Sequence, residues 1–223
     1  MDFFLILEHK MTTILQLSAL YEDKSLLPEG CRIIDFRGLD GTCRYCSPES
    51  AQFIRKGIAD LPPEGIHFID TGDYHYLSLF WMEKIKEPFI LALFDNHPDD
   101  QPGAFDFGML SCGNWVLTAR GTLPLMKSDV RNCSEIPGDL PVYLSIDIDV
   151  LSTEYARTNW SQGDMTLPEL LGHIGRIFKT HRVIGADICG GLTAAADRNL
   201  HLLNEKLQRE LHAYLSSQPE LSE

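Results

Sequence analysis

The stretch Phe89–Asp100 reads FILALFDNHPDD and carries the strongest fold signal in the chain. Its first half is an unbroken apolar run, which is typical of a strand that is buried on both faces of a sheet. Such strands belong to parallel sheets that are covered by helices. The second half changes abruptly to acidic residues and one histidine. We therefore expect the strand to end at Phe94 and to place polar side chains at its carboxyl end, where ligands bind in α/β folds.

Short apolar runs and longer helix-like segments alternate on both sides of this stretch, which favours an α/β fold. We predict strands at Thr13–Leu17, Cys31–Phe36, Ile66–Ile69, Phe89–Phe94, Val142–Ile148 and Val183–Ala186. We predict helices at Ser47–Ala59, Leu77–Lys86, Thr166–Lys179 and Thr193–Ser217. Two of the helix starts carry capping signals, because Ser47 precedes a proline and Thr166 precedes Glu169 by three positions.

The composition limits the classes of partner. The chain has 223 residues and a formal net charge of −13, so nucleic acid and anionic membrane surfaces are poor partners. No apolar run approaches the ~20 residues of a transmembrane helix. The segment Met1–Leu7 lacks the basic flank and cleavage site of a secretory signal, so we expect a cytoplasmic protein. We expect its six cysteines to be free thiols, and residues 1–223 to form a single domain.

Acidic residues follow three of the predicted strands, and two of the three sets include a histidine. These residues are Asp73 and His75, then Asp95, His97 and Asp99, and finally Asp147 and Asp149. Residues at positions i and i+2 of an extended chain point the same way, so each set can converge on one point. A single aspartate after a strand is often a helix cap, but three such sets in succession indicate a common site.

Converging carboxylates predict a metal centre. Unpaired buried carboxylates are costly, and two divalent cations would offset that cost. Imidazole nitrogen and carboxylate oxygen suit manganese, iron or zinc. Two such ions would lower the pKa of bound water and supply hydroxide at neutral pH.

The three segments resemble those of the ureohydrolase (arginase and agmatinase) family. That family carries Gly-Gly-Asp-His, Asp-x-His-x-Asp and Asp-x-Asp in this order. The segment Asp95–Asp99 matches the second motif in full, and Ser145–Leu151 closely matches the third. The segment Thr71–His75 resembles the first motif with one additional residue before the histidine. The resemblance extends from about Ile66 to Gly191.

The resemblance implies a three-layer α/β/α fold of the arginase/deacetylase type, with a mainly parallel sheet, and a pair of divalent metal ions, with manganese expected. It implies that one ion is held by His75, Asp95, Asp99 and Asp147. It implies that the other is held by Asp95, His97, Asp147 and Asp149. In the family, hydroxide attacks a planar carbon, and by analogy Asp99 is the catalytic residue that passes a proton to the leaving nitrogen.

Three segments depart from the family pattern. Ser152-Thr153 stands where the family has Asp-Pro, and Val116 stands where arginases have a loop histidine. Gly190 stands where the family has the glutamate that grips a guanidinium group. The chain is also shorter than typical members, so we expect trimmed substrate loops. We therefore expect the metal ligands to be kept. We expect the residues that recognise arginine or agmatine to be lost.

We accordingly expect a metal-dependent hydrolase of a carbon–nitrogen bond in a small guanidino, formimino or amide compound. Asn114, Trp115 and Asp187 are the candidate substrate-binding residues, because they fall in or beside the altered motifs. Ureohydrolases are often trimers or hexamers, so the resemblance also points to a homo-oligomer, although a shortened chain could have lost those interfaces.

Two alternatives stay open at the level of sequence. The deacetylase branch of this fold uses one zinc ion with an Asp, a His and a distant Asp, but it also uses adjacent histidines that are absent here. The chain could instead be a non-catalytic relative that binds metal or a partner. Such a relative would have lost its activity together with the residues that recognise the substrate. Retention of six candidate ligands argues against the second alternative, since structural metal sites are normally closed.

Overall fold

In the described part of the chain, seven parallel strands form the central sheet. The structure, a computed structural model, describes residues 11–22, 27–103, 108–128, 136–193 and 196–219. The sheet strands are β1 (Thr12–Gln16), β2 (Arg32–Asp35), β4 (Gly65–Ile69), β5 (Phe89–Phe94), β7 (Leu125–Lys127), β8 (Val142–Asp147) and β9 (Val183–Cys189). Their order is β2-β1-β4-β9-β8-β5-β7, and every neighbouring pair is parallel. A separate antiparallel pair joins β3 (Tyr45–Cys46) to β6 (Leu110–Ser111).

The described residues form five α-helices, of which four lie between strands and the last follows the final strand. They are α1 (Pro48–Gly57), α2 (Leu77–Met82), α3 (Trp115–Thr122), α4 (Leu167–Thr180) and α5 (Arg198–Ser217). Short 3-10 turns at Gly72–Tyr74 and Ile148–Val150 follow β4 and β8. Both predicted caps are present: Ser47 accepts the backbone N–H of Ser50, and Thr166 forms a reciprocal capping box with Glu169.

The helices cover both faces of the sheet. In β5, Ile90, Ala92 and Phe94 pack into one apolar layer with residues of α4 and α5. The alternate residues Phe89, Leu91 and Leu93 pack into a second layer with residues of α1, α2 and α3. Every β5 side chain is fully buried, which explains its unbroken apolar sequence. The expected three-layer α/β/α fold is confirmed.

The predicted elements differ from the structure mainly at their ends and at the edge of the sheet. The strand predicted at Val183–Ala186 extends to Cys189, and the last helix begins at Arg198 rather than Thr193. The short strands β3, β6 and β7 and the helix α3 were not predicted, because none has a clear apolar period. The segment Met1–Leu7 and Cys133 lie outside the described residues.

Two other expectations can be compared with the described part of the chain. Its five cysteines are all free thiols. None of its helices combines the length and the apolar character that crossing a bilayer requires.

Candidate metal centre

The sheet order brings the three acidic segments to one place. The strand β8 lies between β5 and β9, and β9 lies beside β4, so the carboxyl ends of β4, β5 and β8 meet at one edge. Asp95 directly follows β5, and Asp147 ends β8. His75 follows the 3-10 turn after β4, and this turn accommodates the additional residue in the first motif.

The first group of side chains surrounds His75. Its Nδ1 lies 3.0 Å from Asp95 Oδ2, 3.1 Å from Asp99 Oδ2 and 3.7 Å from Asp147 Oδ2. All four residues are buried. One imidazole nitrogen thus faces three carboxylates, which is a donor set that suits a divalent transition metal.

The second group surrounds His97. Its Nδ1 lies 2.9 Å from Asp149 Oδ2 and 3.4 Å from Asp95 Oδ1. Asp95 therefore presents Oδ2 to His75 and Oδ1 to His97, and it belongs to both groups of closely spaced donor atoms. A carboxylate shared in this way can bridge two cations.

Backbone N–H groups fix the carboxylates of both groups. Asp95 Oδ1 accepts the N–H of His97 (2.6 Å), and Asp147 Oδ1 accepts the N–H of Asp149 (2.9 Å). Asp149 Oδ1 accepts the N–H of Asn96 (3.0 Å). These bonds fix the orientation of the three carboxylates.

The electrostatics of the cluster require positive charge. Burial raises the pKa of Asp147 well above its usual range, and the carboxylates of Asp149 and Asp95 raise it further. Burial also raises the pKa of Asp99. Ion pairing with Asp149 and Asp95 raises the pKa of His97 to about 10. Among the described residues, the two histidines are the ion-pair partners of these four carboxylates, and no Lys or Arg side chain pairs with them.

Each histidine is anchored by a serine. Ser145 Oγ donates its one proton to Asp187 Oδ1 (2.7 Å), so it accepts from His75 Nε2 (2.9 Å). A neutral His75 consequently directs a free Nδ1 toward carboxylate oxygens, an arrangement that is repulsive unless a proton or a metal ion lies between them. His97 Nε2 lies within hydrogen-bond distance of Ser161 Oγ (2.9 Å).

The three predicted substrate-binding residues do not line the cavity described below. Asp187 is fully buried behind Ser145, and burial raises its pKa to about 6. Trp115 is buried against His75 and donates from Nε1 to Asp99 Oδ2 (2.6 Å). Asn114 accepts the N–H of Ser111 and donates to the carbonyl of Met109. In this structure all three side chains support the centre or its loop.

A cavity of about 360 Å³ opens onto the cluster, which is a volume suited to a small molecule. All six predicted metal ligands line this cavity. Further lining residues are Gly72, Pro98, Gln101, Cys112, Gly113 and Trp160. Trp160 was not identified from sequence, because it lies in a loop without a recognisable motif. The ring of Trp160 meets the edge of the His97 ring, with centroids 5.7 Å apart.

The position of Gly190 excludes a side chain. Its φ is +100°, and a Cβ there would lie 2.6 Å from Asp147 Oδ1 and 2.8 Å from Ile148 Cγ1. The glutamate that the ureohydrolase pattern has at this position therefore has no room in this chain.

Comparison with known proteins agrees with this geometry. No family model matches the sequence. An uncharacterised protein of Thermotoga maritima is 30% identical in an alignment of 197 positions that covers 79% of this chain and 78% of that protein. The chain therefore belongs to the same family as the Thermotoga maritima protein.

Solved structures identify the class of fold. Proclavaminate amidino hydrolase from Streptomyces clavuligerus superposes with a TM-score of 0.61 at 14% identity, over 93% of this chain and 92% of that chain. Formimidoylglutamase from Bacillus subtilis gives 0.62 at 13% identity (92% and 86%), and arginase from Medicago truncatula gives 0.60 at 15% (92% and 88%). These are ureohydrolases, so the expected family resemblance is confirmed in the fold.

The serine behind His75 yields a first prediction. Ser145→Ala removes the acceptor for Nε2 and frees the ring to turn, so manganese affinity should fall ~10- to 100-fold. Calorimetric titration of metal-free protein with manganese measures this. Ser78→Ala is the matched control, because it removes a buried hydroxyl that contacts Ser145 and not His75. Equal affinities for Ser145→Ala and the unmodified protein would contradict the anchoring role.

The ion pairs of His97 yield a second prediction. A pKa of about 10, against 6.5 for an unperturbed histidine, favours the folded state while His97 is protonated. In EDTA, the stability gained from His97 should be complete below pH ~6.5 and be lost as the pH rises to about 10. Thermal unfolding midpoints across this range measure it. His97→Gln should flatten the loss, whereas His201→Gln on α5 should follow the unmodified protein; identical profiles for all three would refute the assignment.

Proposed function

We propose that the protein hydrolyses a carbon–nitrogen bond in a small molecule and that it requires two divalent metal ions, with manganese expected. The observation that carries the proposal is the shared carboxylate of Asp95, which joins the groups around His75 and His97. The solved structures with this fold include an amidino hydrolase, a formimidoylglutamase and an arginase. One ureohydrolase structure of this fold, the Trypanosoma cruzi formiminoglutamase N114H variant, is described with manganese.

The donor set fits two divalent cations. Four carboxylates balance the charge of two such ions, and each half of the centre contributes one imidazole Nδ1. The ions would be held by His75, Asp95, His97, Asp99, Asp147 and Asp149. When bound, they would lower the pKa of coordinated water and supply hydroxide at neutral pH.

Asp99 is the proposed proton carrier. It lines the cavity, and burial raises the pKa of its carboxyl group. In hydrolysis, water adds its hydroxyl to the carbon and its proton to the departing nitrogen as the C–N bond breaks. A buried carboxyl with a raised pKa can hold that proton and donate it to the nitrogen.

Trp115 positions Asp99 for this transfer. Its indole N–H bonds Asp99 Oδ2, and the N–H of Val116 bonds the Asp99 carbonyl (3.0 Å). Asp99 also has a φ of +49°, a strained conformation for a residue other than glycine. The start of α3 thus holds the proton carrier in an orientation that the backbone alone disfavours.

The substrate of this hydrolase is expected to be a guanidino, formimino or amide compound. Arginine and agmatine are disfavoured, because Gly190 leaves no room for a glutamate that would pair with a guanidinium group. The single-zinc deacetylase alternative would use Asp95, His97 and a later aspartate, and it would leave His75 and Asp99 without a metal. The number of ions per chain separates these two mechanisms.

Manganese-loaded protein should contain two ions per chain and should release ammonia, urea or an amine from at least one compound of a guanidino, formimino and amide panel. Elemental analysis and product assays measure these properties. Asp99→Asn should lower kcat by ~10²- to 10⁴-fold through loss of the proton carrier. Asp100→Asn is the matched control, since Asp100 pairs with Arg120 outside the cavity wall. One ion per chain would favour the deacetylase type, and a metal-loaded protein that turns over no compound would favour the non-catalytic alternative.

A further inference from the structure

Arg44 is fixed beside the cavity by its own backbone. Its N–H donates to the carbonyl of Asp73 (3.0 Å), and its carbonyl accepts the N–H of Cys112 (2.9 Å). Cys112 lines the cavity, and Asp73 follows the lining residue Gly72. The backbone of Arg44 therefore joins two segments of the cavity wall.

The guanidinium group of Arg44 is held in place but stays open to solvent. Its Nε lies 3.1 Å from Asp73 Oδ1, and its Cζ lies 5.5 Å from the centre of the Trp160 ring, within the range of a cation–π contact. Trp160 itself lines the cavity. The Arg44 side chain is 62% exposed, and no described residue bonds its Nη1 or Nη2. Both Nη nitrogens, with their N–H groups, thus remain for a ligand at the cavity mouth.

The backbone conformation of Arg44 is a second indication. Among the described residues other than glycine, Arg44 (φ +64°) and Asp99 (φ +49°) have positive φ. Asp99 lines the cavity, and Arg44 lies next to it through its backbone bond to the lining residue Cys112. Conformations with positive φ are strained for residues other than glycine and are concentrated at functional sites. A glycine would adopt the same turn with less strain. The presence of arginine at this position therefore indicates a function for its side chain.

The charge of the cavity agrees with an anionic ligand. Two divalent ions would neutralise the four carboxylates, so the loaded centre would not repel a negatively charged group. A cationic group has no counterpart at Gly190, where a side chain is sterically excluded. Arginine, in contrast, presents paired N–H donors that match the two oxygens of a carboxylate.

We propose that Arg44, supported by Trp160, binds a carboxylate on the substrate, and that the protein therefore acts on small C–N compounds that carry a carboxylate at the end remote from the reacting carbon. This inference rests on the proposed function, because it places the reacting end of the substrate at Asp99. Arg44 is a specificity-determining residue in this proposal and takes no part in the chemical step.

Matched pairs of probes that differ in charge at the remote end test the proposal. The pairs are 4-guanidinobutyrate with agmatine, and glutaramate with 5-aminopentanamide. Binding to manganese-loaded protein is measured by calorimetry and by tryptophan fluorescence, and turnover is measured separately. We expect the carboxylate member of at least one pair to bind at least tenfold more tightly than its amine partner. Arg44→Met should remove this preference, and Arg44→Lys should restore part of it.

Arg55→Met provides the matched control. Arg55 also has an aromatic partner, Phe80 at 4.2 Å, and a carboxylate partner, Glu83, but it lies on another surface. This variant should keep the preference of the unmodified protein. The proposal is overturned if the amine probes bind as well as the carboxylates, if no probe binds, or if folded Arg44→Met keeps the preference. Failure of the proposed function is separate, since it would appear as carboxylate binding without turnover of any probe.

Discussion

The site depends on the confinement of four carboxylates in a place that water barely reaches. Asp95, Asp99, Asp147 and Asp149 are all buried, and two imidazoles provide their ion-pair partners among the described residues. Burial of like charges is among the largest local costs a fold can carry. The surrounding structure meets this cost with backbone N–H groups aimed at the carboxylates and with histidines in fixed orientations. The parallel sheet makes the arrangement possible because it brings the ends of three strands together.

Much of this arrangement could be predicted from the sequence, since the strands themselves carry the signal. An apolar run such as Phe89–Phe94 indicates a strand that is buried on both faces of the sheet. The abrupt end of the run indicates where the strand ends and polar side chains begin. The motif spacing then brings His75, Asp95 and Asp147 to the same edge. Their assignment as metal ligands stays a prediction, and so does the choice of manganese. The outermost strand β7 was harder to predict, because it is short and partly exposed and its sequence lacks a clear apolar period.

The residues that surround the candidate ligands were harder to predict than the ligands. Asp187 and Trp115 were expected at the substrate, whereas the structure places them behind His75 and Asp99. Their side chains act through tertiary contacts between segments that are distant in sequence, such as Ser145 and Asp187, 42 positions apart. Trp160 and Arg44 were missed for the same reason. Each lies in an irregular loop, and its relation to the cavity exists only after the chain has folded.

The two oxygens of Asp95 have a thermodynamic consequence. Each oxygen faces a different histidine, so an ion on one side of this carboxylate would fix its plane for the other side. Binding of the first ion would also displace the proton from Nδ1 of His75 or His97. The neighbouring aspartates, which share that proton in the absence of metal, would then bind the ion instead. If each half holds an ion, the two occupancies would be coupled through Asp95, and each ion would change the affinity of the other half by the same factor. The metal content of the protein would then depend on this one carboxylate as much as on either histidine.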